Sequence, residues 1–441
     1  MDLILSFLVF MAAMVLSLST GVTMIIPLLV GLVGFSLVAL RRGFHLRSIG
    51  KMCLHGMQES LVVVLVMLLI GCLTSLWRQT GTIAYFTYYG VKLIPPSVFI
   101  LAAFLLTSVM SYALGTSFGV AGTIGVILMT IARASGVSLP LVGGAIMSGL
   151  YFGDRGSPAA SSASLVANET HTDVSRNFRL MIKSSLLPMG VCIILYGILS
   201  IFSHPAGVDS GLLDSFAQEF RLSLCCLLPT IALLFPAFMG IKIKRIMAAN
   251  IVISILLTRI LQGTSIAEIL RMTLFGYTPR SAELAPILSG GGVASMLEIV
   301  VLLLLSSGCA GIFEGTHMLA GIEGGLNKMS RHIGRFPAMV LTSLGVCSVF
   351  CNQTIGIIMC RQCMSRNYGD TPQERTAFML DIENSVVPLA GMVPWCIASS
   401  VPLGMLGCNI SALPFSAYLY LLPICWYFTL KFRAKKGRIA A

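Results

Sequence analysis

The chain has 441 residues, of which 56% are hydrophobic and only 10% charged, against roughly 25% charged in soluble domains. Apolar runs recur from the first residues to the last thirty, which excludes a water-soluble fold and predicts a single all-α integral membrane domain over 1–441. The net charge of +12 sits in short Lys/Arg clusters between those runs, the pattern of the positive-inside rule, so the basic balance points to a lipid bilayer and not to a nucleic-acid partner.

A helix crosses the hydrocarbon in roughly 17 to 25 apolar residues. In chain order the first candidates are 3–18 and 22–40. No basic segment precedes the first, and a second follows at once, so 3–18 reads as a span and not as a cleaved signal. Arg41, Arg42, Arg47 and Lys51 come next and are expected on the cytoplasmic side. Spans follow at 61–77 and 93–112. The stretch from 115 to 167 is different, because it is rich in glycine and carries Pro140 and Pro158 among apolar residues. It contains a polar island, Gly153-Asp154-Arg155-Gly156-Ser157-Pro158-Ala159-Ala160-Ser161-Ser162.

Further spans are read at 181–202, 222–241, 246–261, 293–312 and 412–430. The segment 208–219 carries Asp209, Asp214 and Glu219 with no Lys or Arg, which predicts an external loop. Lys242, Lys244 and Arg245, then Lys328, Arg331 and Arg335, and finally the basic tail from Lys431 to Arg438 complete the cytoplasmic anchors, placing both termini inside. Ser289-Gly290-Gly291-Gly292 lacks the lysine of a phosphate-binding loop and reads as a kink before a span. Between Arg335 and Lys431 three apolar stretches occur, 336–360, 378–406 and 412–430. Three crossings cannot return the chain to the same side. The stretch 378–406 is expected to be split or re-entrant, since Pro388, Pro394 and Pro402 do not share an unbroken helix. It holds a second island, Asp381-Ile382-Glu383-Asn384-Ser385. About ten to twelve transmembrane helices result, some broken.

Non-helical backbone and ionisable groups persist at membrane depth only where they line a cavity or pack within protein. The two halves share a plan: Gly115-Thr116-Ser117-Phe118-Gly119 precedes the first island, and Asn352-Gln353-Thr354-Ile355-Gly356 precedes the second, with Pro394-Trp395 beyond it. Such an echo is what two inverted repeats, 1–205 and 222–441, would leave. Asp154, Ser157, Ser161 and Ser162 with Glu383, Asn384 and Ser385 supply the oxygen ligands that a monovalent cation needs. Burial favours the protonated carboxyl and a bound cation favours the ionised one, so proton and cation would compete at Asp154 or Glu383. Arg155 could pair with a carboxylate or hold an anionic group bidentately.

Structural readings stand beside these. Asp154 with Arg155 fits a membrane-edge ion pair, Glu383 a structural acid, and Asn352, Gln353 and Thr354 interhelical hydrogen-bonding glue; Trp395 fits a packing anchor or a lid. Glu298 and Glu314 read as span-end residues, and His171, His317 and His332 as loop residues. Of the thirteen cysteines most lie in apolar runs as small hydrophobes. The C-x-x-C of Cys360 and Cys363 has no second ligand pair. No resident metal or cofactor is expected, and the absence of a Walker lysine motif and of H-E-x-x-H speaks against a pump and a metalloenzyme.

On these residues the chain resembles the NhaC-type sodium/proton antiporters of the ion transporter superfamily, over most of its length. The family's Gly-Thr-Ser-Trp-Gly is similar to Gly115-Thr116-Ser117-Phe118-Gly119, and its Gly-Asp-Lys-x-Ser-Pro-x-Ser-Asp-Thr to the island from Gly153 to Ser162. Its Leu-Glu-Asp-Ser and Ile-Pro-Trp-Asn look like Ile382-Glu383-Asn384-Ser385 and Val393-Pro394-Trp395-Cys396. Ser161 and Asn384 stand where the family has aspartates, Arg155 where it has lysine, and Cys396 where it has asparagine. The resemblance implies a multi-pass, secondary-active antiporter of a bacterial inner membrane, without enzymatic activity, exchanging sodium for protons by alternating access. Its wider membership implies a second reading, sodium- or proton-coupled exchange of an organic acid or amino acid, which fewer acids and an added guanidinium suit. A channel remains a third class, and the oligomeric state is left open.

Overall fold

The computed structural model describes residues 2–203, 210–239, 241, 243–316, 318 and 323–439, and the positions of Asp209, Lys242 and His317 lie outside them. Every named element among the described residues is helical, with one isolated bridge, Tyr277 to Gly290, as the sole β contact among them. The first half contains α1 (Asp2–Thr20), α2 (Ile25–Arg41), α3 (Leu46–Gln79), α4 (Thr82–Leu93), α5 (Pro96–Leu114), α6 (Ser117–Val120), α7 (Val126–Ala134), α8 (Leu139–Gly156), α9 (Ser161–Thr170) and α10 (Val174–Phe202). There follow α11 (Ser210–Glu219), α12 (Leu228–Phe238), α13 (Ile243–Leu257), α14 (Ile266–Phe275), α15 (Ala285–Leu288) and α16 (Leu297–Thr316). The chain closes with α17 (Glu323–Ile333), α18 (Arg335–Phe350), α19 (Gln353–Met364), α20 (Pro372–Glu383), α21 (Val386–Ala390), α22 (Ile397–Leu406) and α23 (Ala417–Ile439).

Among the described residues six helical stretches are long and apolar enough to cross a membrane, seven if the pair Leu212–Glu219 and Leu224–Pro236, bent by 94°, is one span. Shorter apolar helices cover other parts of the predicted set, namely α2, α18 and α22, and the predicted span 412–430 falls largely on the 23-residue α23. Large aliphatic side chains on α1, α3 and α10 face outward, such as Leu8, Leu54, Leu186 and Ile194, as lipid contact requires. This is a multi-pass membrane protein.

Local chemistry sets many of the helix starts. Asp173 caps α10 by accepting from Arg176 N at 2.8 Å; Ser265 caps α14 and Thr371 caps α20, each followed three residues later by the glutamate of a capping box. The predicted external loop at 208–219 is a correction: from Ser210 onward it is α11, whose acids lie on a helical surface. Glu219 there accepts from Tyr277 Oη at 2.9 Å and from two backbone amides, Arg280 N at 2.7 Å and Ser281 N at 2.9 Å. Ser289 to Gly292 forms the expected kink, with φ of 116°, 74° and 86° at its three glycines.

Close helix contact runs through glycine. Gly149 and Gly153, four apart on α8, lie against Thr107 and Ser111 of α5; a Cβ on Gly153 would sit 2.1 Å from the backbone carbon of Ser111. Small residues at i and i+4 let two backbones approach where lipid gives no hydrophobic drive. Gly153→Val should therefore force α8 off α5 and destabilise the protein by at least the 1–3 kcal/mol typical of about one overpacked site. Thermal unfolding in detergent would read this as a lowered midpoint; an unchanged midpoint would contradict the tight α5–α8 seam.

Candidate functional site

Both halves interrupt a helix with the same backbone device. After α5 the chain turns through Gly115 in the left-handed region (φ 63°) to an extended Thr116 (φ −148°, ψ 123°), whose hydroxyl accepts from Gly119 N at 3.3 Å and starts α6. After α18 it turns through Cys351 (φ 54°) to an extended Asn352 (φ −141°, ψ 127°), whose Oδ1 accepts from Thr354 N at 2.9 Å and starts α19. Each break is crossed by a second one. Ala159, in the gap between α8 and α9, packs so closely on Gly115 that a Cβ there would lie 2.5 Å from its carbonyl carbon. In the other half, Ile397 N donates to Cys351 O at 2.8 Å, and Trp395 Nε1 donates to Ser348 O at 2.8 Å. Trp395 is thus tied to α18 by its indole.

The breaks enclose a cavity of about 590 Å³, walled by Thr116, Ser117, Asp154, Ser161, Ser162, Gln353 and Thr354 together with apolar residues of α3 and Lys244. Half of the residues singled out from the sequence therefore meet on one surface, drawn from both halves of the chain. Asp154, 7% exposed, is the one carboxylate on that wall among the described residues. Its Oδ2 accepts from Gln353 Nε2 at 3.0 Å, and its backbone carbonyl from Ser162 Oγ at 2.5 Å. Ser117, the first residue of α6, faces the same carboxylate, so the positive end of the short helix that runs on into α7 is directed at it. Gly115 to Gly119 also spells G-x-S-x-G, but a nucleophile elbow needs a strand before the serine, and α5 stands there.

Behind the cavity lies a buried polar layer. Arg155 has no exposed surface, and its guanidinium is saturated: Nε donates to Glu383 O at 3.0 Å, Nη1 to Met181 O at 3.2 Å and to Ser185 Oγ, and Nη2 to Ser184 Oγ and Asn384 Oδ1, both at 2.6 Å. Neither expected use of Arg155 is seen. It has no carboxylate within 4 Å among the described residues, and its donors are spent on neutral oxygens, which leaves none for an anionic ligand. It bolts the end of α8 to α10 and to the end of α20.

Glu383 is fully buried, does not line the cavity, and neither carboxylate oxygen has a hydrogen-bond partner; Asn384 Nδ2 is also unpartnered. An unpaired ionised carboxylate is expensive in such a place, and the positive charge that acts on Glu383 is the Arg155 guanidinium. Ser385 Oγ donates to Asp381 O at 2.5 Å and accepts from Ser343 Oγ at 3.3 Å, and Ser157 Oγ accepts from Ala159 N at 3.1 Å; both hold turns. Sequence reading missed Ser184, Ser185 and Tyr418, which surround the guanidinium, because serines and a tyrosine inside long apolar runs give no signal of their own. The clue available was Arg155 itself, since a buried arginine demands several acceptors. Among the described residues no group of three His, Cys, Asp or Glu side chains could hold a metal, and Cys360 and Cys363 are buried side chains of α19.

Comparison with known proteins bears on what this arrangement carries. The model of the Na+/H+ antiporter family matches residues 2–201 and 149–432. A malate-2H(+)/Na(+)-lactate antiporter of Bacillus subtilis is 27% identical, covering 86% of this chain and 83% of its own length. An Na(+)/H(+) antiporter, NhaC, of the same organism is 26% identical over 90% of both chains. An arginine/ornithine antiporter of Halobacterium salinarum is 24% identical over 84% of this chain and 79% of that one.

Proposed function

Because the chain belongs to the Na+/H+ antiporter family, we propose that it exchanges sodium for protons across a bacterial inner membrane by alternating access, with both cations competing for Asp154. The observation that carries this reading is the position of Asp154, the carboxylate on a cavity walled by the broken segments of both halves. Its neighbours Thr116, Ser117, Ser161, Ser162, Gln353 and Thr354 offer hydroxyl and amide oxygens, hard ligands suited to a monovalent cation. The charge balance agrees. Asp154 and Glu383 carry two negative charges when ionised and Arg155 one positive, so one proton or one sodium ion neutralises the cluster. Replacement of one by the other there leaves the interior charge unchanged. The halves 1–205 and 222–441 act as the two pseudo-repeats, supported by the matching backbone at Gly115-Thr116 and Cys351-Asn352. Lys244 on the cavity wall belongs to a basic cluster, which supports a cytoplasmic position for this hollow, the side on which the reading also sets both termini.

A second reading, coupled exchange of a small organic acid or amino acid, rests on the size of the same cavity. At about 590 Å³ it lies in the range of roughly 300–1,000 Å³ usual for small-molecule sites and far exceeds what one cation fills. Uptake into proteoliposomes under imposed sodium and proton gradients, with a panel of carboxylates and amino acids, separates the two. Sodium/proton exchange without added solute supports the first; flux only with an organic solute supports the second. Flux with neither, in sealed and oriented vesicles, would contradict both.

Glu383→Gln gives a further expectation. Removing a buried charge that lacks partners should leave the protein inserted and folded while abolishing exchange. Circular dichroism and the transport assay on one preparation check this, and retention of full exchange would remove Glu383 from the mechanism.

A further inference from the structure

A second polar hollow lies along α3. From Val66, on the wall of the Asp154 cavity, to Thr74 is eight residues, or about 12 Å of helical rise. Thr74, Arg78, Arg133, Ser289, Gly291 and Ser295 line this second cavity, of about 310 Å³. Between the two hollows Ile70 sits against Gly122, where a Cβ would lie 2.3 Å from Ile70 Cγ2 and 3.5 Å from Met405 Sδ. The two hollows are therefore separated by a tight apolar contact.

Two guanidinium groups share the second hollow, and no acid is among its lining residues. Neither arginine has a carboxylate within 4 Å among the described residues. Arg78 is 6% exposed; its Nη1 donates to Thr74 O at 2.9 Å, and its Nε is buried without an acceptor. Arg133 donates from Nη2 to Leu406 O at 2.9 Å and to Gly407 O at 3.2 Å. Capping the end of α22 accounts for Arg133 in part, but it leaves the Arg78 Nε unexplained. The Gly290–Gly292 kink packs directly on α3, with a Cβ on Gly291 only 2.7 Å from Ser75 N, and so brings backbone and the hydroxyls of Ser289 and Ser295 to the guanidinium groups.

Two like charges in a confined, partly buried space are costly without a counter-charge. A planar guanidinium matches a carboxylate in geometry as well as in charge. We infer that the Arg78–Arg133 cavity binds a small soluble carboxylate, at an anion site separate from the Asp154 cavity. It lies toward the end of α3 remote from Arg47 and Lys51, hence toward the outer face.

The test uses the full-length protein in neutral detergent, with succinate and lactate as choline salts and choline chloride at matched ionic strength as the control. One or both carboxylates should raise the unfolding midpoint of the wild type. Arg78→Gln and Arg133→Gln should each weaken that apparent affinity by at least about tenfold, as loss of a charge-assisted contact implies, while Asp154→Asn should keep it. If a glutamine variant does not fold, Arg78→Lys, which retains charge but not the fork, should bind more weakly than the wild type. No stabilisation by either carboxylate, or stabilisation unchanged in the arginine variants, would overturn the inference. So would arginine-dependent stabilisation by anionic lipid alone, since a headgroup and not a soluble carboxylate would then fill the site.

Discussion

Arg155→Ala is expected to produce the largest loss of stability of any single substitution in this protein, on the order of 3–5 kcal/mol, the range for removing one side of a buried charged network. The side chain has no exposed surface and joins α8 to three other elements: α10 through Met181, Ser184 and Ser185, the end of α20 and its cap through Glu383 O and Asn384 Oδ1, and α23 through Tyr418 Oη at 3.4 Å. Truncation strands those acceptors in a dry interior, each stranded group costing about 1–3 kcal/mol before relaxation. It also takes away the positive charge nearest Glu383. Arg155→Lys retains the charge but lacks the planar fork that reaches Glu383 O, Ser184 and Asn384 together, so its loss should be intermediate. Thermal unfolding of both variants in detergent measures this. A cost below about 1 kcal/mol for the alanine variant, the level of an ordinary surface change, would contradict the role of Arg155 as the bolt between halves.

The second large effect falls on transport and leaves the fold intact. Asp154→Asn conserves shape and allows the contact with Gln353, now through an amide, yet removes the negative charge on the cavity wall. A charged hydrogen-bonding ligand contributes about 1.5–3 kcal/mol, so cation affinity should fall roughly 10- to 100-fold. The proton-carrying function should disappear altogether, because an amide does not titrate. Exchange measured with proteoliposomes should therefore be abolished at any sodium concentration, whereas Ser161→Ala, which removes one neutral oxygen, should raise the sodium requirement by less than about tenfold. Residual exchange in Asp154→Asn that saturates at high sodium would place proton carriage elsewhere, with Glu383 the next residue to test.

Much of the architecture was legible because membrane physics is strict. Helix-breaking residues and ionisable groups within apolar sequence mark cavity walls or buried polar packing; Gly115 and Asp154 carry that signature on the cavity wall, and Glu383, in the proline-rich stretch, carries it in the buried layer behind. The odd number of apolar stretches after Arg335 exposed a split segment, which the structure divides into α20, α21 and α22. Other parts were illegible for equally physical reasons. Whether Arg155 would face a ligand or its own protein depends on acceptors thirty and more residues away, at Ser185 and Asn384, and no local pattern announces them. The acidic run ending at Glu219 looked like a loop because charge alone does not distinguish a solvated helix surface from a turn. Arg78 and Arg133 went unnoticed because each sits near the end of an apolar helix, where a lone arginine is the ordinary snorkelling residue.

The most direct measurement of the central claim is proton release on sodium binding. Sodium chloride added to the purified protein in weakly buffered solution near the pH of half-maximal exchange should acidify the medium, with choline chloride as the control. The account predicts release by the wild type and none by Asp154→Asn. Equal release by both proteins, or none by a wild type that binds sodium, would contradict competition between the two cations at this carboxylate.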